Sequence, residues 1–333
     1  MPLMVMDMAT VTERIINKFG SKFFMAKVLI TGGAGFIGSN LAHALVKDND
    51  ITIVDDLSMG KEENIADINV SFYHHDVCDS IFMHKLLSEN KFDYIYYLAA
   101  VSSVADSVVR PLETHRVNQE SVVDTLDYIR TEKLPIKKFL FTSSAAVYGN
   151  SPDFPKMETS HIDPLTPYAI DKYASERFTI DYGNLYNLPT VAVRFFNVYG
   201  PRQNPESPYS GVLSIITECM KNNKPFTLYG DGSQTRDFVY VGDVVNALIK
   251  LATETNESTV YNIANGGETT LIDVIHTYED ISGIKLKITY KDSRNGDITK
   301  SKADISKLKN VGFEPQWSLK DGLRNYWKYY SEN

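Results

Sequence analysis

The sequence predicts an α/β protein, in which one parallel β-sheet is covered by helices on both faces. Short apolar runs alternate with segments whose apolar residues recur at helical spacing, from about residue 26 to residue 196. Such runs form strands that are buried on both faces, and the helices between them make the crossovers that parallel strands need. A glycine-rich turn between the first run and the first helix is the second observation, and it is typical of doubly wound sheets.

Each element is predicted from its own stretch of sequence. The strand segments are short and rich in β-branched and aromatic residues, whereas the helical segments show the wider apolar period. A long helix is expected from Tyr168 to about Tyr186. The expected strands are 27–31, 51–55, 70–74, 93–100, 137–144 and 188–196, and the other expected helices are 36–46, 80–87 and 111–130.

The second half of the chain predicts a smaller lobe built onto the sheet. After Tyr199 the sequence becomes rich in turn residues. One segment of this half, near 237–264, again has the pattern of a strand and a helix, and we expect it to return to the first domain. The predicted organisation is therefore an N-terminal extension over 1–25, a first domain over 26–196 and a second α/β lobe over 197–333.

The composition excludes several classes of protein. Of the 333 residues, 43% are hydrophobic and 23% are charged, which is typical of a globular protein. A net charge of −8, without any run of Lys and Arg, argues against a nucleic-acid partner. No apolar run reaches the ~18 residues that cross a bilayer, and the first 24 residues lack a clear cleavage signature, so neither a membrane span nor a signal peptide is expected.

Cysteine and histidine usage also bears on the compartment and on metals. Cys78 and Cys219 lie far apart and outside any CxxC motif, which predicts a reducing, cytoplasmic compartment. The seven histidines contain no HxxxH-type pair, and the adjacent His74 and His75 follow a predicted strand, where packing or solvation is the simpler interpretation. We therefore expect no metal site.

Three glycines at the spacing GxxGxxG follow the first predicted strand, namely Gly32, Gly35 and Gly38. Glycine permits a tight turn there and lets a pyrophosphate approach the N–H groups at the start of the next helix. Asp55 ends the second predicted strand, where its carboxylate can accept hydrogen bonds from both adenosine-ribose hydroxyls. That carboxylate would repel a 2′-phosphate, and no arginine follows in DDLSMGK. These features predict a Rossmann-like domain that binds NAD rather than NADP.

The stretch PYAIDKYASE places Tyr168 and Lys172 one helical turn apart on the same face of a predicted helix. This spacing alone does not distinguish a catalytic pair from two ordinary helix residues. A free tyrosine titrates near pH ~10, so a phenolate at neutral pH needs nearby positive charge, which Lys172 could supply.

Several long motifs, in one order, resemble the extended short-chain dehydrogenase/reductase family. They are the glycine turn, LAA at 98–100, SSAAVYG at 143–149, the YxxxK of Tyr168 and Lys172, RFFNVYGPRQNP, LYGDGSQTRDFVYVGDV and RNGDITKSKADISK. The similarity covers nearly all of residues 26–325. Within that family the chain looks most like the nucleotide-sugar 4-epimerases.

The resemblance implies a catalytic set and a reaction. Tyr168 would be the acid/base, Lys172 and the oxidised nicotinamide would tune it, and Ser144 would hydrogen-bond the substrate O4 and the phenol. A UDP-hexose would lose a hydride from C4 to NAD, form a 4-keto sugar and regain the hydride on the opposite face, so NAD would stay tightly bound. A non-catalytic NAD-binding protein is the remote alternative, although such a protein would be expected to have lost part of this set.

The resemblance also implies two groups of binding residues. Arg236 and Arg294 match the family's pyrophosphate contacts, Tyr229 borders the uracil, and Asn197 and Asp297 match sugar, diphosphate or ribose contacts. The implied substrate-binding residues are Ser103, Ser144, Tyr168, Asn197, Tyr229, Arg236, Arg294, Asp297 and Ser301. The implied cofactor-binding residues are Gly32, Gly35, Phe36, Ile37, Gly38, Asp55, Asp56, Leu57, Ser58, Asp76, Val77, Leu98, Ala99, Ala100, Asn118, Thr142, Tyr168, Lys172 and Phe195.

Four small residues bear on the substrate. Family dehydratases carry an Asp-Glu pair directly after the Ser/Thr, whereas this chain has Ala145 and Ala146, so dehydration is not expected. Ser301 falls where a bulky tyrosine restricts the pocket to glucose and galactose, and Ser103 matches a position near an N-acetyl group. The resemblance thus implies UDP-GlcNAc/UDP-GalNAc 4-epimerisation with some UDP-Glc/UDP-Gal turnover. A UDP-glucuronate epimerase or decarboxylase, or another NDP-sugar epimerase, stays open as the alternative.

Members of this family usually dimerise through two helices of each subunit. The segments that match are the predicted helices 111–130 and 168–186. The resemblance therefore implies a homodimer.

Overall fold

The computed structural model describes residues 26–204, 211–293 and 299–332. The predicted N-terminal extension over 1–25 lies outside the described residues. Thirteen strands are described, and they are β1 (Ala26–Thr31), β2 (Asn49–Asp55), β3 (Ser71–His74), β4 (Tyr94–Tyr97), β5 (Lys138–Ser144), β6 (Thr190–Phe195), β7 (Asn197–Tyr199), β8 (Phe226–Tyr229), β9 (Thr235–Arg236), β10 (Phe238–Tyr240), β11 (Val260–Ile263), β12 (Thr269–Thr270) and β13 (Ile288–Lys291).

The described helices surround these strands. They are α1 (Phe36–Leu45), α2 (Ser80–Asn90), α3 (Val104–Val109), α4 (Pro111–His115), α5 (Ser121–Thr131), α6 (Pro167–Tyr186), α7 (Val212–Lys221), α8 (Val241–Glu254), α9 (Leu271–Ser282), α10 (Ser306–Asn310) and α11 (Leu319–Glu332). None of them is long and apolar enough to cross a membrane.

The main sheet has seven strands, all parallel, in the order β3-β2-β1-β4-β5-β6-β11. The predicted doubly wound α/β fold is therefore confirmed. The strand order reverses between β1 and β4, and in such sheets the crevice at the carboxyl ends of these two strands is where ligands bind.

Both faces of the sheet are buried, as the continuous apolar runs predicted. Along β1, Val28 and Ile30 pack into one core cluster, whereas Leu29, between them, packs into the other. The first cluster includes Leu41 of α1 and the second includes Leu126 of α5. Because successive side chains of a strand point to opposite faces, each apolar run supplies both cores.

The helices between residues 104 and 131 differ from the prediction. The segment VADSVV forms the short helix α3, which the sequence analysis did not predict, and the expected helix 111–130 is divided. Arg116–Glu120 forms a π-helical turn between α4 and α5. Such wide turns recur near functional sites, and here the carbonyl oxygen of Asn118 accepts a hydrogen bond from Ser175 Oγ at 2.8 Å.

The second lobe consists of helices and three two-stranded sheets. β10 pairs with β7 and β13 with β8, both in parallel, whereas β12 and β9 are antiparallel. β11 follows β7 to β10 in the sequence. In the structure, however, it pairs with β6 and is the edge strand of the main sheet. The segment expected to return near 237–264 therefore ends in the sheet of the first domain.

The C-terminal segment is held by a buried carboxylate. Asp243, in the first turn of α8, has no exposed surface and accepts hydrogen bonds from the backbone N–H groups of Gln316, at 2.9 Å, and Trp317, at 3.1 Å. Burial raises the pKa of Asp243 to about 6, and these two hydrogen bonds oppose the shift.

Replacing Asp243 by Asn should therefore change how stability depends on pH. Because the pKa of Asp243 is raised in the folded chain, the folded wild type binds more protons than the unfolded chain between pH ~4 and ~6, and its free energy of unfolding falls as pH rises through that range. Between pH ~4 and ~7, we expect the free energy of unfolding of the wild type to fall by up to roughly 3 kcal/mol more than that of Asp243→Asn. Urea unfolding of both proteins at several pH values measures this difference, and a difference independent of pH would contradict the prediction.

Candidate active site

A cleft of about 310 Å³ opens at the carboxyl ends of the central strands. Most of the residues predicted to bind a cofactor line it, together with the predicted catalytic Tyr168 and Lys172. The lining residues that the sequence analysis named are Gly32, Gly35, Phe36, Ile37, Gly38, Asp55, Asp56, Ser58, Asp76, Val77, Leu98, Ala99, Ala100, Thr142, Tyr168, Lys172 and Phe195.

The glycine turn leaves no room for side chains. Gly32 has φ +70°, and a Cβ on it would lie 2.8 Å from the backbone nitrogen of Ala99. A Cβ on Gly38 would lie 2.2 Å from the carbonyl oxygen of Gly32. The first turn of α1 therefore packs directly against the loop, and its N–H groups face the cleft at a distance that a diphosphate can reach.

Asp55 lies at the end of β2 and is held by the same loop. Its carboxylate accepts hydrogen bonds from the backbone N–H groups of Ala34 and Leu57, both at 2.9 Å. Burial raises the pKa of Asp55, and these two hydrogen bonds oppose the shift. Leu57, predicted as a cofactor contact, does not line the cleft; its N–H orients Asp55 instead.

Asn118, predicted as a cofactor contact, does not line the cleft but holds a residue that does. Its side-chain oxygen accepts from the backbone N–H of Val101 at 2.8 Å, and its Nδ2 donates to the Val101 carbonyl at 3.1 Å. Asn118 has no exposed surface and is absent from the lining of the cleft. The amide thus fixes the backbone of Val101, which does line the cleft, and its side-chain oxygen and Nδ2 are occupied by that contact.

Lys172 is buried beneath the cleft. Its Nζ donates to the carbonyl oxygen of Thr142 at 2.9 Å and lies 5.0 Å from the centre of the Phe141 ring. Burial lowers the pKa of Lys172 to about 7, and the negative charge of Asp171 opposes the shift. A change of protonation at this ammonium therefore falls within the neutral range.

Tyr168 lies in the first turn of α6, one turn before Lys172. Thr166 caps this helix by accepting from the N–H of Ala169 at 3.3 Å, and Pro167 occupies its first position. Burial raises the pKa of the Tyr168 phenol, and a hydrogen bond with Ser144 opposes the shift. The lowering of this pKa that the sequence analysis expected from the charge of Lys172 is therefore not found, and burial dominates.

Ser144 ends β5 and also caps the short 3₁₀ turn Ala145–Tyr148, accepting from the N–H of Ala146 at 3.1 Å. Ser143, beside it, lines the cleft, and its buried hydroxyl has no hydrogen-bond partner among the described residues. Of the predicted catalytic set, Tyr168 and Lys172 line the cleft, whereas Ser144 does not line it but hydrogen-bonds Tyr168.

Apart from Tyr168, the predicted substrate residues in the described part of the chain are not among those that line this cleft. Ser103 has its hydroxyl engaged as the cap of α3, where it accepts from the N–H of Asp106 at 2.9 Å. Asn197 Nδ2 donates to the carbonyl oxygen of Asp237 at 3.2 Å. Tyr229 ends β8, Arg236 ends β9, and Ser301 is partly exposed. Arg294 and Asp297 lie outside the described residues.

The sequence analysis missed Arg202 and Gln203, which line the cleft. Arg202 has φ +67° and donates hydrogen bonds to Asn40 of α1, at 3.3 Å, and to His43, at 2.9 Å. Asn40 in turn donates to the carbonyl oxygen of Pro201 at 3.0 Å. The motif GPRQNP contains both residues, but the sequence analysis used it only as part of the family resemblance. It was the sequence signal that could have identified them.

Two further facts complete the description of the site. Among the described residues, no group of three or more His, Cys, Asp or Glu side chains is placed to hold a metal ion. Both cysteines are free thiols, and Cys78 is exposed whereas Cys219 is buried.

The sequence matches the model of the NAD dependent epimerase/dehydratase family over residues 28–264. A curated relative, the putative UDP-glucose 4-epimerase of Methanocaldococcus jannaschii, is 34% identical over 308 residues, which are 92% of this chain and 99% of that protein.

Solved structures of UDP-sugar 4-epimerases also match this chain over most of its length. The UDP-N-acetylglucosamine 4-epimerase from Methanobrevibacter ruminantium M1 in complex with UDP-N-acetylmuramic acid matches with a TM-score of 0.88 and 36% identity, covering 93% of this chain and 99% of that one. The UDP-glucuronic acid 4-epimerase from Bacillus cereus in complex with UDP-glucuronic acid and NAD matches with a TM-score of 0.82 and 31% identity, covering 92% and 99%.

The resemblance to the extended short-chain dehydrogenases/reductases is thereby confirmed. The glycine turn and Asp55 form a cradle that fits a dinucleotide, and the matched family uses NAD. This chain belongs to the NAD-dependent epimerase/dehydratase family, and its cofactor is NAD.

Proposed function

We propose that this protein interconverts UDP-hexoses that differ at C4, with UDP-GlcNAc and UDP-GalNAc as its preferred pair and UDP-Glc and UDP-Gal as further substrates. The observation that carries the proposal is that Tyr168, which is hydrogen-bonded to Ser144, and Lys172 line the same cleft as the glycine turn and Asp55. The names of the similar proteins, which are UDP-sugar 4-epimerases, support it.

In the proposed mechanism, NAD held by the glycine turn and Asp55 would supply the hydride acceptor and donor for C4 of the sugar. Tyr168 takes the proton of the 4-hydroxyl group and gives it back when the 4-keto sugar is reduced. Ser144 hydrogen-bonds the phenol and orients the O4 atom. Lys172, fixed by the Thr142 carbonyl, supplies positive charge beneath the phenol. Arg236, Arg294, Tyr229, Asn197 and Asp297 would anchor the UDP group while the sugar turns over.

Burial raises the pKa of Tyr168, so the phenolate requires more positive charge than this part of the chain supplies by itself. The oxidised nicotinamide provides that charge when it is bound. Proton removal by Tyr168 should therefore be coupled to the presence of oxidised cofactor. Because the hydride removed from C4 would return to the same atom, the reaction would have no net redox change, and we expect NAD to stay tightly bound.

The reaction class can be tested with the purified protein, UDP-GlcNAc and no added NAD. A mixture of 4-epimers supports the proposal. Net accumulation of NADH would instead indicate a dehydrogenase. Release of carbon dioxide from UDP-glucuronate would indicate a decarboxylase, and epimerisation of UDP-glucuronate alone would indicate a uronate 4-epimerase, an activity that one of the similar solved structures has.

Replacing Tyr168 by Phe should lower kcat by at least ~10² without loss of UDP binding, because the ring still fills its buried position while the proton-exchanging hydroxyl is gone. Steady-state rates and calorimetry with UDP measure both effects. Full activity in this variant would refute the acid/base role of Tyr168.

Replacing Ser301 by Tyr should lower kcat/KM for UDP-GlcNAc at least ~10-fold more than for UDP-Glc, because a bulky ring would occupy the space for the N-acetyl group. Ser301→Ala is the matched control and should leave the ratio of the two values nearly unchanged. An unchanged ratio in Ser301→Tyr would overturn the proposed size selection.

A homodimer is also part of the proposal. Helices α3 and α4 pack against α6, and all three present exposed apolar side chains. Val109 is 77% exposed, Leu112 64% and Leu185 70%. Isolated apolar residues on a surface are ordinary, but several on adjacent helices indicate a protein contact. The cytoplasmic location stays a prediction.

The double variant Val109→Glu/Leu112→Glu should be monomeric, because four charges would be brought into the proposed interface of each dimer. Sedimentation analysis of wild type and variant measures the change. Ile81→Glu is the matched control, since Ile81 is 83% exposed on α2, away from these helices. A wild type that is already monomeric would contradict the proposal.

A further inference from the structure

We propose that Asp237 is the positioning residue of the nucleotide-sugar pocket, because its buried carboxylate and its backbone join the segments that carry Arg236, Asn197 and Ser301. This inference rests on the proposed function. It adds to that function a residue that touches neither NAD nor the sugar, and whose role is to hold the residues that do.

The carboxylate of Asp237 receives three hydrogen bonds from two distant loops. Oδ1 accepts from the backbone N–H of Asn265 at 2.9 Å, and Oδ2 accepts from those of Gly266 and Ala303, both at 3.1 Å. The side chain has no exposed surface. One carboxylate therefore links the loop after β11 to the segment that contains Ser301.

The segment around Ser301 is fixed at both of its ends by this part of the chain. Ala303, two residues after Ser301, donates its N–H to Asp237 Oδ2. Thr299, two residues before it, accepts a hydrogen bond from the N–H of Thr235 at 2.9 Å. Ser301 thus lies midway between Thr299 and Ala303. The hydrogen-bond partners of these two residues, Thr235 and Asp237, are separated in sequence only by Arg236.

The backbone of Asp237 positions the other predicted contact. Its carbonyl oxygen accepts from Asn197 twice, from the backbone N–H and from Nδ2, both at 3.2 Å. Arg236 precedes Asp237 directly, and its strand β9 pairs with β12. Three of the residues proposed to contact diphosphate or sugar, Arg236, Asn197 and Ser301, therefore lie within two residues of a hydrogen bond to Asp237 or to Thr235.

Keeping a carboxylate in this place is unfavourable for the isolated chain. Burial raises the pKa of Asp237 to about 6, although the three N–H groups and the charge of Lys302 oppose the shift. A neutral residue of similar size would avoid this desolvation but could not accept all three bonds. A buried carboxylate at this position is explained if substrate binding requires the segments near residues 197, 265 and 303 to keep fixed positions relative to one another.

Asp243 provides a matched comparison. It too is a fully buried aspartate whose pKa burial raises to about 6, and it too accepts only backbone N–H groups. Its partners, Gln316 and Trp317, belong to the C-terminal segment and not to the residues proposed to bind substrate. Both carboxylates join distant backbone segments, but only Asp237 should affect substrate binding.

The test compares Asp237→Asn with Asp243→Asn. Asparagine retains the size of aspartate but presents an NH₂ group where one acceptor was, so at least one backbone N–H loses its partner. For Asp237→Asn we expect KM for UDP-GlcNAc and Kd for UDP to rise at least ~10-fold, kcat to stay within ~3-fold and bound NAD to be retained. For Asp243→Asn we expect KM within ~2-fold of wild type, with the pH-dependent difference in stability described above.

Equal effects of the two variants on KM, or an unchanged KM in Asp237→Asn, would overturn the inference. If Asp237→Asn does not fold, Asp237→Glu serves in its place, since it retains the acceptors but displaces the Ala303 segment, and it should raise KM selectively. The proposed function is tested by the wild type in the same series. A wild type that binds no UDP refutes both, whereas a normal wild type with indistinguishable variants refutes only the role of Asp237.

Discussion

The close approach of the glycine turn to the neighbouring strand is the constraint on which the rest of the site depends. The space that a Cβ of Gly32 would need is taken by the backbone of Ala99, and the space beside Gly38 is taken by the carbonyl of Gly32. Because nothing separates helix α1 from the strand ends, its first N–H groups and the carboxylate of Asp55 face one narrow cleft. Asn118 fixes the facing wall through the backbone of Val101.

Burial then sets the electrostatics of the catalytic end. Desolvation shifts the pKa of Tyr168 upward and that of Lys172 downward, so both groups are driven toward their neutral forms. Neither shift is produced by an ion pair within the chain. The charge state of this pair is consequently sensitive to whatever charge the cleft binds, which would suit the acid/base role proposed for Tyr168.

The central sheet and the nucleotide cradle could be predicted from sequence because their signals are local. Apolar runs specify strands, and the glycine spacing specifies the turn. Helix α3 was missed because VADSVV is too short to show a helical period, and the π turn at Arg116–Glu120 cannot be recognised from periodicity. Arg202 was missed because its place beside α1 arises from contacts between residues about 160 positions apart. For the same reason, no pattern indicated that Asp237 joins segments near 197, 265 and 303.

The position of β11 has a consequence for how the chain is made. β6 is completed on its outer side only by Val260–Ile263, which the ribosome adds after most strands of the second lobe. A nascent chain released up to Glu254 would therefore present β6 as an exposed parallel edge, open to pairing with other chains. The main sheet cannot be completed before about half of the chain after β6 has been made, so this sheet and the first part of the second lobe are expected to mature together and not one after the other.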